Sequence, residues 1–136
     1  MTKKEHVLAI LQRIGLLPTI DEDGDVKVRY QLKDVYFMGE EDEDGGEGNH
    51  YVQTLMPQIY EMEEGEESLV LATCNKTVRE VKFVKVFVDQ SFKNVAATCE
   101  FYYTDDESLE KNIRESLRVL GVIHTIFYNT MSELSE

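Results

Sequence analysis

The sequence predicts an α+β domain, an antiparallel five-stranded sheet packed against helices in the order α-β-β-β-α-β-β-α. Three observations carry that expectation. Both ends of the chain show apolar residues at helical spacing behind capping patterns. The middle shows short runs that alternate apolar and polar residues. Turn-forming stretches join these runs without a long domain linker. The 136 residues fit one domain, 1–136, with enough chain to bury a core without disulfide or metal staples.

The first helix starts at Thr2-x-x-Glu5, a capping-box pattern whose side chains satisfy backbone N–H groups of the first turn. Val7, Ile10, Leu11 and Ile14 follow on one face; Gly15 suits a left-handed helix end, and Pro18 blocks resumption. Residues 26–30 (VKVRY) alternate as a half-buried strand, and 35–38 (VYFM) form a second. Residues 51–60 (YVQTLMPQIY) form a third, in which Pro57 cannot donate to a ladder, so that strand lies at an edge or carries a bulge.

Residues 66–80 read two ways. Val70, Leu71, Cys74 and Val78 fit a helical face, whereas LVL alone suits a strand. Two long strands follow, 81–89 and 95–103, joined by a polar turn around Gln90–Asn94. Val95, Ala97, Cys99, Phe101 and Tyr103 mark one face of the second. Thr104-x-x-Glu107 is another capping-box pattern and opens the longest helix, about 105–134. Its stripe runs Leu109, Ile113, Leu117, Leu120, His124, Phe127, Met131, Leu134, and Val122, Ile123 and Ile126 widen it. A helix so broadly apolar is expected to pack on the sheet and against something else, such as a second subunit.

Composition excludes several partner classes. The net charge is −13, from 27 acidic and 14 basic residues, and such a surface repels nucleic-acid backbones and anionic membranes. No apolar run reaches the roughly 20 residues that span a bilayer. Glu5, Gln12 and Arg13 interrupt the apolar N-terminal stretch, which reads as the amphipathic helix of a cytoplasmic protein and not as a signal peptide. Cys74 and Cys99 lack CxxC spacing and read as reduced, buried thiols. The segments 40–48 and 61–67 hold 11 acidic residues between them, a pattern of solvated loops or of a surface for a basic partner.

The stretch Asp21-Glu22-Asp23-Gly24-Asp25 resembles the front of a calcium loop, but the register fails. Counting from Asp21, Val26 stands where glycine is needed and Leu32 where the bidentate glutamate is needed. A tight turn explains these residues better, because Asp and Gly tolerate left-handed dihedrals. Counting from Glu40 puts Asp42, Asp44 and Gly45 in place, but Tyr51 replaces the glutamate. A cation-responsive acidic loop over 40–50, with His50 beside it, is therefore an alternative functional reading. His6, His50 and His124 form no metal-ligand motif, and His124 reads as a core or interface histidine. No nucleophile motif or phosphate loop is present, so no catalytic, cofactor or metal residue is assigned, and a non-enzyme is expected. Tyr102, Tyr103, Phe127 and Tyr128 are expected to cluster near the end of the last strand and the rear of the last helix. Of the stripe and this cluster, Tyr102, Phe127, Tyr128 and Met131 are the candidate partner interface.

The N-terminal helix ending IGL, the stretch DEDGDV, the strand FVKVFVD and the long last helix together resemble the YbjN-like family, bacterial proteins labelled sensory transduction regulators. Asn75 resembles an asparagine of that family's middle helix, which favours a helix over 66–79. The resemblance implies a fold similar to class I type III secretion chaperones, small acidic dimers that bind unfolded segments of other proteins. The acidic loop 40–49 and the DQSFKNV turn depart from the family's pattern. The expected function is a non-enzymatic, cytoplasmic protein-interaction module, chaperone-like or regulatory, acting as a homodimer on a protein partner.

Overall fold

The computed structural model describes residues 2–38 and 50–136. Its elements run α1 (Lys3–Arg13), β1 (Thr19–Ile20), β2 (Val26–Tyr30), β3 (Lys33–Met38), β4 (Tyr51–Glu61), α2 (Glu67–Glu80), β5 (Val84–Val88), β6 (Asn94–Tyr102) and α3 (Asp106–Leu134). The described strands form one antiparallel sheet in the order β1-β2-β3-β4-β6-β5. Six strands stand where five were expected. The addition is β1, whose Thr19 and Ile20 pair with Lys27 and Val26; two residues are too few to show an alternating pattern.

Local chemistry accounts for the element boundaries. Thr2 Oγ1 accepts from the Glu5 N–H at 3.2 Å, capping α1. Residues 67–80 are helical, with Val70, Thr73, Cys74 and Thr77 turned inward. The cap of α3 lies one residue beyond the expected Thr104/Glu107 pair. Asp105 accepts from the Ser108 N–H at 2.7 Å, and Ser108 Oγ accepts from the Asp105 N–H at 3.1 Å. Both registers fit the capping pattern, and the charged Asp105 acceptor is the stronger one. β5 begins at Val84 and not at Val81, because Phe83 takes φ +78 and breaks the extended run.

Pro57 sits in a central strand. The register of β4 against β6 passes from Met56↔Ala97 to Tyr60↔Val95, so residues 57–59 face Ala96 alone. That bulge removes the need for a Pro57 donor.

All three helices pack on one face of the sheet. Val28, Val35, Val52, Met56, Ile59, Val86, Val95 and Cys99 point inward to meet Leu11 of α1, Val70 of α2 and Leu109, Ile113, Leu120, Ile123 and Phe127 of α3. On the other face the registers align Lys27, Tyr36, Leu55, Thr98 and Lys85 in one row. No helix of the described residues covers that face. His124 does not join the core. It is exposed, edge-on to Tyr128 at 5.5 Å, because Ile123 and Phe127 carry the buried stripe at that level. No helix among the described residues is long and apolar enough to cross a membrane.

Candidate interaction surface

Three chain reversals meet at one end of the sheet: the β2–β3 turn, the end of β4 and the β5–β6 turn. β2 and β3 are joined by Gln31 and Leu32, both in left-handed backbone at φ 51 and φ 69. Two positive φ values suit the twist of a two-residue hairpin, yet Asn and Gly are the residues that adopt them without strain. Leu32 is 83% exposed. On the far side, Phe92 tips the β5–β6 turn, also left-handed at φ 59 and 61% exposed.

Between the two turns lies a groove of about 490 Å³ over the Pro57–Gln58 bulge of β4, with Arg29, Leu32, Lys33, Asp34 and Tyr36 on one side and Asp89 and Asn94 on the other. The ladder between β3 and β4 runs only from Tyr36↔Leu55 to Met38↔Gln53, so it stops short of Pro57.

A hydrogen-bond chain fixes the far wall. Asp89 Oδ1 accepts from Ser91 Oγ at 2.6 Å, Asp89 Oδ2 accepts from Asn94 Nδ2 at 3.1 Å, and Gln58 Nε2 donates to Asn94 Oδ1 at 2.7 Å. The Ser91 hydroxyl, followed by the Asn94 donors, holds the Asp89 carboxyl below its ordinary pKa. On the near wall Asp34 pairs with Arg29 at 3.2 Å and Lys27 at 3.8 Å, and Lys27 stands 5.8 Å from the Tyr36 ring. These exposed pairs orient side chains and contribute little stability. The groove thus presents one apolar tip, Leu32, together with the Tyr36 ring and a largely polar lining, much of it already engaged in pairs.

The four aromatic and thioether candidates read from sequence do not share a surface. Phe127 is fully buried, 5.5 Å from Tyr60. Met131 is half-buried against the core. Tyr128 is partly exposed beside Tyr60, at the groove end of β4. Tyr102 is 76% exposed and packs on Tyr51, at the other end of that strand. Nine residue steps along β4 separate Tyr51 from Tyr60, about 30 Å. The expected clustering fails because β6 delivers its C-terminal aromatics to the end of the sheet where α3 starts, whereas Tyr128 lies near the end of α3. Phe127 follows Leu120 by seven residues, so its inward direction was present in the helical period.

Other sequence candidates resolve locally. Asp21 Oδ1 accepts from the N–H groups of Asp23 and Asp25, each at 2.9 Å, and Gly24 takes φ 84, so the DEDGD stretch is the β1–β2 turn. Burial pushes the Cys74 and Cys99 thiols up to about 11, far from a reactive thiolate. His50 stacks on Tyr103 at 4.8 Å; loop 40–49 lies outside the described residues. No group of three or more His, Cys, Asp or Glu among the described residues is arranged to hold a metal ion. Sequence reasoning places a polar turn around Gln90–Asn94 but misses the groove, since its walls come from segments far apart in the chain and Gln31-Leu32 is not a turn-forming pair.

Fold and surface together define an α+β domain with helices on one face of an open antiparallel sheet. No family model matches the chain, and no curated protein matches it in sequence. Among solved structures it is similar to the crystal structure of YbjN from E. coli, a candidate transcription regulator, with a TM-score of 0.66 over 88% of this chain and 87% of that one, at 10% identity. The chain has a YbjN-like fold.

Proposed function

We propose that the chain is a non-enzymatic, cytoplasmic protein-interaction module of regulatory or chaperone-like kind, a homodimer that takes an extended segment of a partner protein in the groove between its hairpin tips. One observation carries the reading: Leu32, a large apolar side chain on left-handed backbone, stands exposed at one wall of a concave surface, and Phe92, also left-handed and exposed, stands on the turn that supplies Asp89 and Asn94 to the other wall. Residues kept in sparsely populated backbone regions cluster at binding sites, and buried apolar anchors dominate the energetics of interfaces. Tyr102 and Tyr128 extend the exposed aromatic surface elsewhere. The regulatory designation of YbjN is in keeping with such a role.

Selection of displayed random peptides against the wild-type chain tests this. Recovered peptides are expected to lose about tenfold or more in affinity for a Leu32→Asn/Phe92→Asn variant, the loss of two interface anchors. Asn tolerates left-handed backbone, so the variant keeps its fold. Peptides that bind the variant as tightly as the wild type would refute the groove assignment.

A further inference from the structure

The last strand in the sheet order, β5, has no strand on its outer side among the described residues. Its hydrogen-bond parity is readable from the adjoining turn. The Asp89 N–H donates to the Asn94 carbonyl at 2.9 Å, and the register continues as Val88↔Val95, Phe87↔Ala96, Val86↔Ala97 and Lys85↔Thr98. Bonded pairs alternate along an antiparallel ladder. Phe87 and Lys85 therefore bond β6, and the backbone N–H and C=O groups of Val84, Val86 and Val88 point away from the sheet.

We infer that this border pairs with the same border of a second copy, antiparallel about a two-fold axis through Val86, joining two sheets into one. The inference rests on the homodimer reading above and supplies its interface. Three features of the border point to a second copy as the occupant. The strand reads Val-Lys-Val-Phe-Val, so pairing centred on Val86 sets Val84 against the second copy's Val88 and Val86 against its own counterpart. All three outward residues on each strand then fall in bonded pairs. The same register places Lys85, whose ammonium pairs with Glu100 at 2.6 Å, opposite the second copy's Phe87, so that its aliphatic stem lies beside the ring. A register centred on Lys85 would set Val88 opposite Lys82, outside β5, and leave only Val84 and Val86 in bonded pairs.

Helix α2 repeats the message one layer up. Lys76 reaches Glu133 of α3 at 3.2 Å, which identifies the side of α2 that faces α3. Leu71 and Val78, seven residues apart, lie on the opposite flank, 50% and 37% exposed. That flank overhangs the free border, where the second copy's α2 would lie. Charge agrees as well. Residues 76–93 hold Lys76, Arg79, Lys82, Lys85 and Lys93 against Glu80 and Asp89, a basic stretch in a chain of net charge −13. These cations offset the field of the acidic remainder, so the mutual repulsion of two chains is lowest here. Exposed, flat, apolar strand edges are uncommon in monomers because they recruit further strands.

Sedimentation equilibrium of the wild type, Phe87→Lys and Phe87→Glu tests the inference. Phe87→Lys sets two lysine pairs across the axis and is expected to weaken the dimer about tenfold or more. Phe87→Glu faces Lys85 of the second copy and is expected to keep the dimer. A Lys85→Cys/Phe87→Cys variant is expected to give a disulfide-linked dimer on oxidation, which neither single variant gives, because only cysteines opposite each other come within bonding reach. A wild-type dimer that ignores both substitutions and yields no cross-link would overturn the β5 border and leave the homodimer reading standing. A wild-type monomer at about 100 µM, a weak limit for a functional dimer, would overturn both.

Discussion

The Asp21–Gly24 turn and the Gln31–Leu32 turn sit at either end of β2 and treat the same problem with opposite chemistry. In the first, Asp21 Oδ1 collects the N–H groups of Asp23 and Asp25, and Gly24 takes the left-handed position at φ 84. Each residue is of the type its geometry favours. In the second, an amide and a branched apolar side chain hold left-handed backbone, and Leu32 projects into solvent. One turn is optimised for closing a hairpin. The other holds residues that its geometry does not favour and leaves Leu32 exposed, the kind of departure on which the proposed groove rests.

The comparison breaks most visibly at the optimised turn. Asp21→Ala removes the acceptor for two backbone N–H groups and is expected to cost about 1–2 kcal/mol. Urea denaturation should show a lower midpoint with an unchanged slope. An unchanged midpoint would mean that the carboxylate decorates the turn without holding it.

The strained turn should respond with the opposite sign. Replacing Gln31-Leu32 by Asn-Gly supplies residues that adopt two positive φ values readily. Stability is expected to rise by about 1 kcal/mol, part of the left-handed penalty being returned as glycine's greater freedom in the unfolded chain. The same variant lacks the Leu32 anchor, so peptide binding should fall as stability rises. A destabilised variant would show that Leu32 belongs to the packing of the hairpin.

These two turns also show what a sequence discloses. DEDGD is legible because its residues are chosen by local physics, and Thr2/Glu5, the alternation of Val26–Tyr30 and the Leu109–Phe127 stripe are legible for the same reason. Gln31-Leu32 carries no such signal, and although the polar turn at Gln90–Asn94 is legible, nothing local marks Phe92 as its left-handed residue. The groove arises from three segments far apart in sequence, and only the bulge required by Pro57 could have hinted at it. The Tyr102–Tyr128 grouping misled because both are aromatic and close to element ends. Connectivity through α3, 29 residues or about 44 Å long, separates them.

The smallest effect lies where the strained turn touches the core. Gly121, within α3, leaves room for the β2–β3 turn, since a Cβ there would stand 3.1 Å from Gln31 Nε2 and 3.1 Å from Tyr30 Cε2. Glycine inside a helix costs about 1 kcal/mol against alanine, so Gly121→Ala gains that propensity and loses the clearance. The Gln31 amide is the end of a flexible side chain and can move aside, but the Tyr30 ring is partly buried and yields less. The two terms nearly cancel, and the net change in stability is expected to stay within about 0.5 kcal/mol. Adding Gln31→Asn shortens one of the two obstacles, and the alanine should then become stabilising by several tenths of a kcal/mol. A double-mutant cycle by chemical denaturation reads that coupling directly. Strict additivity of the two substitutions would show that the turn and α3 are energetically independent, leaving strand register as the sole cause of the left-handed backbone at Gln31.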